Sequence, residues 1–518
     1  MKDNLDNFMG ESFFLELKEL LTDGKIGFEK ENLRVINSRI AQSPHPVSLG
    51  SSLCNQYITT DFSEAQLELV TPPFQDNKKA LRFLNDIHHF ISWNIEDEIL
   101  WPLSMPVAIR DEKEIPIAYY GQSNLAVFKQ IYRNGLSHRY GRMMQAISGL
   151  HYNYSVPDSI WQSSLFENKD MDSINQRSSV YFNMLRNIYR INWLILYLFG
   201  ASPIITSSFI TKNSQKLKQL DKETFYLPYA TSLRMSNFGY CNARRNKLKV
   251  SMNSLEEYVS DLRQATNTPF SEFSHIKTIN NDSQQQISDS ILQIDDEFYA
   301  VARAKSKTIS NQRTTSKLKL GGVDFIELRS LDLNPFSRIG IDEETVLFLE
   351  TLLIFCFIKQ NKHLTYDEIS NINHNDSIVA ERGREPNISL LNDGQRLSLQ
   401  DWGKEIIEDL FPIADVLDSE NKKYTNAVEQ MLKKIRNPKL TLSALLLDEI
   451  TEKNQSFIDF GKAIGESNKS HYLNIKDSEN HNWKLLEKEV ENSHKQQVAL
   501  EMDNKETFQT FVDDYMKH

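Results

Sequence analysis

The chain predicts an α+β fold built around an antiparallel sheet, and two observations carry that expectation. Short stretches of strand-like patterning are intermixed with helical ones without a regular βαβ beat. The strand candidates also repeat one oddity, an apolar face alternating with an acidic one.

Taken in order, ESFFLELKELLT (11–22) has helical spacing, and the period changes near Ile26 to strand-like in GFEKENLRV (27–35). QLELVTPP (66–73) is a second strand. The next helix spans 76–98, where Ala80, Leu84, Ile87 and Ile91 form a stripe, and His88 and His89 read as a surface or half-buried pair rather than metal ligands. LHYNYSVP (150–157), SILQIDDEFYAV (290–301) and GGVDFIELRSLDLNPF (321–336) are further strands, and buried helices are expected around 179–199 and 341–360. Polar stretches at 211–223, 264–288 and 305–319 read as surface loops, and beyond 361 the chain is polar and mostly helical, with no chemistry visible there.

Composition excludes whole classes of function. With 40% hydrophobic and 10% aromatic residues the 518-residue chain can bury a substantial core. Its 59 basic against 70 acidic residues give a formal charge of -11, so no broad positive face for nucleic acid is expected. Cys54, Cys241 and Cys356 lie far apart without a CxxC spacing, which argues for a reducing, cytoplasmic setting and against a zinc site. The N-terminus lacks the pattern of a signal peptide, and the apolar runs at 192–201 and 346–358 are too short to span a membrane. Neither GxGxxG nor GxxxxGK[ST] occurs.

The acids raise the chemical question. Glu29 and Glu31 share one strand face about 7 Å apart, where like charges at an effective dielectric near 20 repel by roughly 2–3 kcal/mol. Either something positive sits between them or they face water. Glu68 alternates with Leu67 and Leu69, Asp61 precedes it, His151 and Asn153 share a face, and Glu327 and Arg329 stand side by side on one strand. Together Glu29, Glu31, Asp61, Glu68 and Glu327 offer hard oxygen ligands and His151 one nitrogen, a set suited to Mg²⁺. Arg329 suits a phosphoryl oxygen, and metal-assisted phosphoryl transfer without a P-loop is the chemistry implied. Tyr132, Gln145, Tyr240, Tyr299 and Arg234 form a second, mainly aromatic set for which core packing is the plain reading. Cys241 has no base or acid placed to activate it as a nucleophile.

GFEKENLRV, SLGSSLCNQYITTDFSEAQLELVTPP, WPLSMP, YRNGLSHRYGRMMQAISGLHYNYSVP, YLFGASP, YLPYATSLRMSNFGY and GGVDFIELRSLDLNPFS together resemble the proteobacterial type of glutamate–cysteine ligase. The resemblance runs from about residue 10 to past 460 and is densest before 345. It implies one ligase domain over 1–518, with the motifs in about 10–345 and the helical remainder packed on that core. The implied fold is a curved antiparallel sheet forming a funnel, like the core of glutamine synthetase, and the implied substrates are ATP, L-glutamate and L-cysteine. By the same resemblance Glu29, Glu31, Asp61, Glu68, His151 and Glu327 hold Mg²⁺ (or Mn²⁺), Arg329 and Glu327 serve catalysis, and Arg234 meets a substrate carboxylate. Tyr132, Leu136, Gln145, Tyr240 and Tyr299 form the pocket for the cysteine-derived part. A monomer without nucleic-acid or membrane partners, subject to feedback inhibition by glutathione, is expected. After Tyr299 the chain reads AVARAKSK, where the family pattern carries prolines and a more basic run, a departure that touches the nucleotide contacts of that loop.

Overall fold

The strand period found around Ile26 becomes a twelve-residue strand, β1 (Lys25–Ile36), and the main sheet is assembled around it. With β2 (Ile58–Thr60), β3 (Gln66–Val70), β4 (Leu150–Ser155), β5 (Ala302–Lys305) and β6 (Phe325–Leu331), the strand order is β5-β6-β4-β1-β3-β2. Every ladder in it is antiparallel, and two short strands, Arg39–Ile40 and Ile99–Leu100, pair with the far end of β1. The computed structural model describes residues 21, 23–163, 166, 173–210, 214–240, 248–278, 284–307, 312–419, 421–503 and 505–517. The helix expected at 11–22 and Cys241 lie outside them.

Alternation sets the two faces. Phe28, Leu67, Leu69, Tyr152, Tyr154, Ile326 and Leu328 point into the larger hydrophobic core, each buried to within a few per cent. The helices Ile174–Phe199 and Glu343–Ile358 cover that core; Glu343–Ile358 is apolar nearly all round past its first turn, and Ile174–Phe199 becomes so from Trp193 onward, as a helix packed on several sides must be. The opposite face carries the acids. Register opposes Glu31 to Glu68, Glu29 to His151, and Glu327 to both Asn153 and Arg303.

Several expectations need correction. Residues 290–301 form a single 3₁₀ turn, Asp295–Glu297, instead of a strand, and the strand comes just after it as β5. Asp295 is drawn out of any ladder by Arg313, 2.5 Å away, and by the amide of Thr315. The supposed loop at 305–319 starts on the last residue of β5 and ends inside the helix Thr314–Gly321, and the one at 264–288 begins inside the helix Leu255–Asn267. His88 and His89 are buried, because the chain around Tyr472 and Ile475 covers the outer side of their helix, Asn77–Asn94. His88 Nε2 lies 2.8 Å from Lys30 Nζ, so the pair is structural.

Asp332, one residue beyond β6, joins three elements. Its carboxylate accepts from the Ala201 amide (2.8 Å), the Ser202 hydroxyl (2.6 Å) and the Ser232 hydroxyl (2.9 Å), and it faces Arg234 at 3.7 Å. Truncation would leave a buried guanidinium short of its counter-charge. Asp332→Ala is therefore expected to lower unfolding stability by roughly 3 kcal/mol or more, read as a shift in the denaturation midpoint.

Candidate active site

The acid-bearing face of the sheet floors a cavity of about 500 Å³, walled by the helix Asn124–Tyr140 and by the segment 294–300. Glu29, Glu31, Asp61, Glu68, His151, Glu327, Arg329, Tyr132, Leu136, Gln145, Arg234, Tyr240 and Tyr299 all line it. The structure thus brings the whole predicted set together.

At the sheet centre His151 is the hub. Its Nδ1 lies 3.3 Å from Glu29 Oε2 and 3.6 Å from Glu327 Oε1, and its Nε2 lies 3.7 Å from Glu31 Oε1. One ligand atom each from Glu29, His151 and Glu327 falls within 4.8 Å of the others, while Glu31, Asp61 and Glu68 border the same space outside that tight group. Glu29 also accepts from Asn153, and the Gly149 amide donates to Glu31 Oε2 at 2.7 Å. A side chain at 149 would collide with the Arg234 guanidinium, its Cβ meeting Nη2 at 2.0 Å, so glycine there is a requirement of close approach.

Electrostatics divide the acids in two. Burial pushes Glu327 up, but Arg329 (2.9 Å) and Lys305 (3.7 Å) outweigh it and hold the carboxyl well below its ordinary range. Glu29 is likewise lowered: burial and Glu327 raise it, and the His151 hydrogen bond with the Lys305 charge brings it down. Glu31 is raised by burial and then by Asp61, against the pull of His151. Glu68 is pushed up to about 8 by burial and by the charges of Asp61, Glu29 and Glu31. Glu327 and Glu29 have enough positive charge close by to offset burial, whereas the pull of Arg133 on Glu68, and of His151, Arg234 and Arg329 on Glu31, does not.

A second region is aromatic. Tyr240 and Tyr299 stack with centroids 5.8 Å apart, and Gln145 bonds the Tyr299 hydroxyl at 3.0–3.1 Å. Tyr240 donates to the Ile147 carbonyl, and the Arg234 guanidinium lies over its ring. Arg234 donates to the Arg329 carbonyl at 3.0 Å, yet its buried Nε has no partner.

Several lining residues escaped the sequence reading. Lys129 and Arg133 share the helical stripe of Tyr132 and Leu136, a spacing that could have found them. Arg303 and Lys305 alternate along β5, within the segment taken for a departure from pattern. Tyr515 comes from the helix Phe508–Lys517, in the stretch that showed no chemistry, and its ring lies 4.6 Å from that of Phe128.

A family model described as glutamate-cysteine ligase matches residues 14–379. The chain belongs to the glutamate–cysteine ligase family. Among curated relatives, the glutamate–cysteine ligase of Alcanivorax borkumensis is 37% identical over 498 residues, covering 94% of this chain and 95% of the relative. That of Pseudomonas entomophila is 40% identical over 446 residues, covering 85% and 84%. The crystal structure of the Francisella tularensis enzyme in complex with AMP superposes with a TM-score of 0.89 at 32% identity, covering 96% of this chain and 98% of that one. Among the described residues no helix is long and apolar enough to cross a membrane.

The raised acids of this family member make a prediction for the metal-free protein. Because Glu68 binds its proton more tightly folded than unfolded, the folded state holds more protons between about pH 4.5 and 8, and stability falls as pH rises through that window. Thermal unfolding in chelator should show this loss, and Glu68→Gln should flatten it.

Proposed function

We propose that this protein joins the γ-carboxylate of L-glutamate to the α-amine of L-cysteine at the expense of ATP, giving γ-glutamylcysteine, ADP and phosphate, the first step of glutathione synthesis. Family membership supports the activity. The observation that carries the site assignment is the meeting, in one cavity, of the Glu29–His151–Glu327 group and Arg329 with the tyrosine pocket.

The donor set fits a divalent cation. It consists of carboxylate oxygens with one imidazole, and Glu327 Oε2 is buried without a hydrogen-bond partner. Glu29, Glu31, Asp61, Glu68, His151 and Glu327 would hold Mg²⁺ or Mn²⁺, which supplies charge neutralisation for the nucleotide phosphates. Arg329 and Lys305 add donors that persist at any working pH, since both are raised by the neighbouring carboxylates.

In the first half-reaction the glutamate γ-carboxylate attacks the terminal phosphoryl group, forming an acyl phosphate and ADP. Arg329 stabilises charge on the transferring oxygens. The amine of cysteine then attacks the acyl carbon, phosphate leaves, and the amine gives up a proton as the amide forms. Tyr132, Leu136, Gln145, Tyr240 and Tyr299 receive the cysteine side, and Arg234, with its unpartnered Nε, is suited to a substrate carboxylate. The sheet with its walls is read as the funnel of a glutamine-synthetase-like core, which keeps water from the acyl phosphate. The lining residues fall between Glu29 and Arg329, Tyr515 excepted, which supports a core supplied mainly by the chain before about 345 with the helical remainder packed on it. The free thiols of Cys54 and Cys356 suit a reducing cytoplasm, and feedback by glutathione follows from its γ-glutamylcysteinyl part.

ADP release is expected to require both L-glutamate and L-cysteine. Equal rates with ammonia or a polyamine in place of cysteine would overturn this reading. Arg329→Ala should lower turnover by about 10³-fold or more with an unchanged far-ultraviolet spectrum.

A further inference from the structure

Behind the tyrosine pocket lies a buried polar network that touches none of the predicted ligands' acids. Glu297 is 1% exposed. Its Oε1 accepts from the Tyr140 hydroxyl (2.7 Å) and from Arg139 Nη1 (3.0 Å), and its Oε2 accepts from the Gln293 amide (2.7 Å). Arg139 also donates to Gln286 and to the Ser288 carbonyl, and its guanidinium lies 4.2 Å over the Phe273 ring. The network therefore locks two pieces of chain to each other: the end of the helix Asn124–Tyr140 and the segment 286–297.

Those two pieces carry opposite walls of the pocket. Tyr132 and Leu136 stand on the helix, and Tyr299 follows Glu297 by two residues. Their spacing has little slack. The Gln293 side chain packs on Gly135 so closely that a Cβ there would meet its Oε1 at 2.1 Å, and Gln293 Nε2 donates to the Tyr132 carbonyl. Tyr140 then meets Tyr299 edge to face, ring centroids 6.1 Å apart and planes at 89°.

We propose that Glu297, acting through Tyr140, is a positioning residue that sets the width of the amine-substrate pocket by holding Tyr299 against Gln145 and Tyr240. This rests on the activity proposed above. Neither Glu297 nor Tyr140 is among the cavity-lining residues, so their effect reaches the substrate through the ring they fix. The acid cluster and Arg329 sit on the sheet and are held by strand pairing instead. Loosening the network should therefore act on one substrate only.

Tyr140→Phe removes the hydroxyl and keeps the ring. It is expected to raise KM for cysteine about tenfold, the scale of one charge-assisted hydrogen bond, with kcat and the KM values for glutamate and ATP within about twofold of wild type. Glu297→Gln, which replaces the charged partner of Arg139 Nη1 and Tyr140 with a neutral amide, should shift the same constant further if it folds; Tyr140→Phe decides the matter if it does not. An unchanged KM for cysteine in Tyr140→Phe, or parallel shifts in all three KM values, overturns the inference. Failure of the activity itself is seen separately, in wild-type protein whose ADP release ignores cysteine.

Discussion

Carboxylates held on one face of a sheet repel, and here the strand register leaves them no way to part. Glu31 stands across from Glu68 on β3 and two residues from Glu29, and each position is fixed by ladder hydrogen bonds backed by an apolar face at the core. A one-residue slip of β3 would part Glu68 from Glu31 only by turning Leu67 and Leu69 out of that core. At about 25 cal/mol per Å² of apolar surface, or roughly 1.5–3 kcal/mol for each leucine, exposing both costs more than the roughly 2–3 kcal/mol of a like-charge pair, so burial wins and the acids stay. The surroundings must then supply the compensation. Around Glu327 they do so with Arg329, Lys305 and Arg303, while Glu31 and Glu68 keep raised proton affinities.

The unequal compensation tells how the cavity is used. Six acids and six cationic side chains line it, so its total is balanced, but the two kinds are spread unevenly. A site that neutralised every acid locally would have no need of an external cation, and one that neutralised none would give up stability at neutral pH. On the proposed reading, a cation held by the raised acids would also stabilise the fold by relieving the same repulsion, since whatever binds only the folded form stabilises it. The tyrosine pocket is built on different terms. Its walls are a helix and a turn, held by side-chain hydrogen bonds and ring contacts, which can vary while the sheet beneath stays unchanged.

Period two in the strands made most of this sheet and its acid face legible: Glu29, Glu31, Glu68, His151, Glu327 and Arg329 can be placed on a common side from alternation alone. The tyrosine set was reachable through family resemblance, because three tyrosines and one glutamine in an aromatic-rich chain have no periodicity that separates pocket from core. Local pattern failed where tertiary ion pairs decide the backbone. SILQIDDEFYAV reads as a strand until Asp295 is claimed by Arg313 and Glu297 by Arg139, partners that are 18 and 158 residues away in sequence. His88 and His89 looked half-exposed because the chain that covers them lies almost 400 residues further on. Tyr515 gave no local signal at all, since one aromatic at the end of a charged helix looks the same whether it faces solvent or a cavity.

The position of Tyr515 bears on what the helical remainder does. Its helix, Phe508–Lys517, is seated by Val512 and by contacts of Phe511 and Tyr515 with Phe128, and Arg313 donates to the Met516 carbonyl. Arg313 is also the partner of Asp295, and Phe128 belongs to the helix that carries Tyr132 and Leu136. The C-terminal helix is thus tied to both walls of the pocket. Thermal motion or substitution in it should be felt first by the volume of the tyrosine-lined end of the cavity, while the sheet floor, stitched by six antiparallel strands, stays in register.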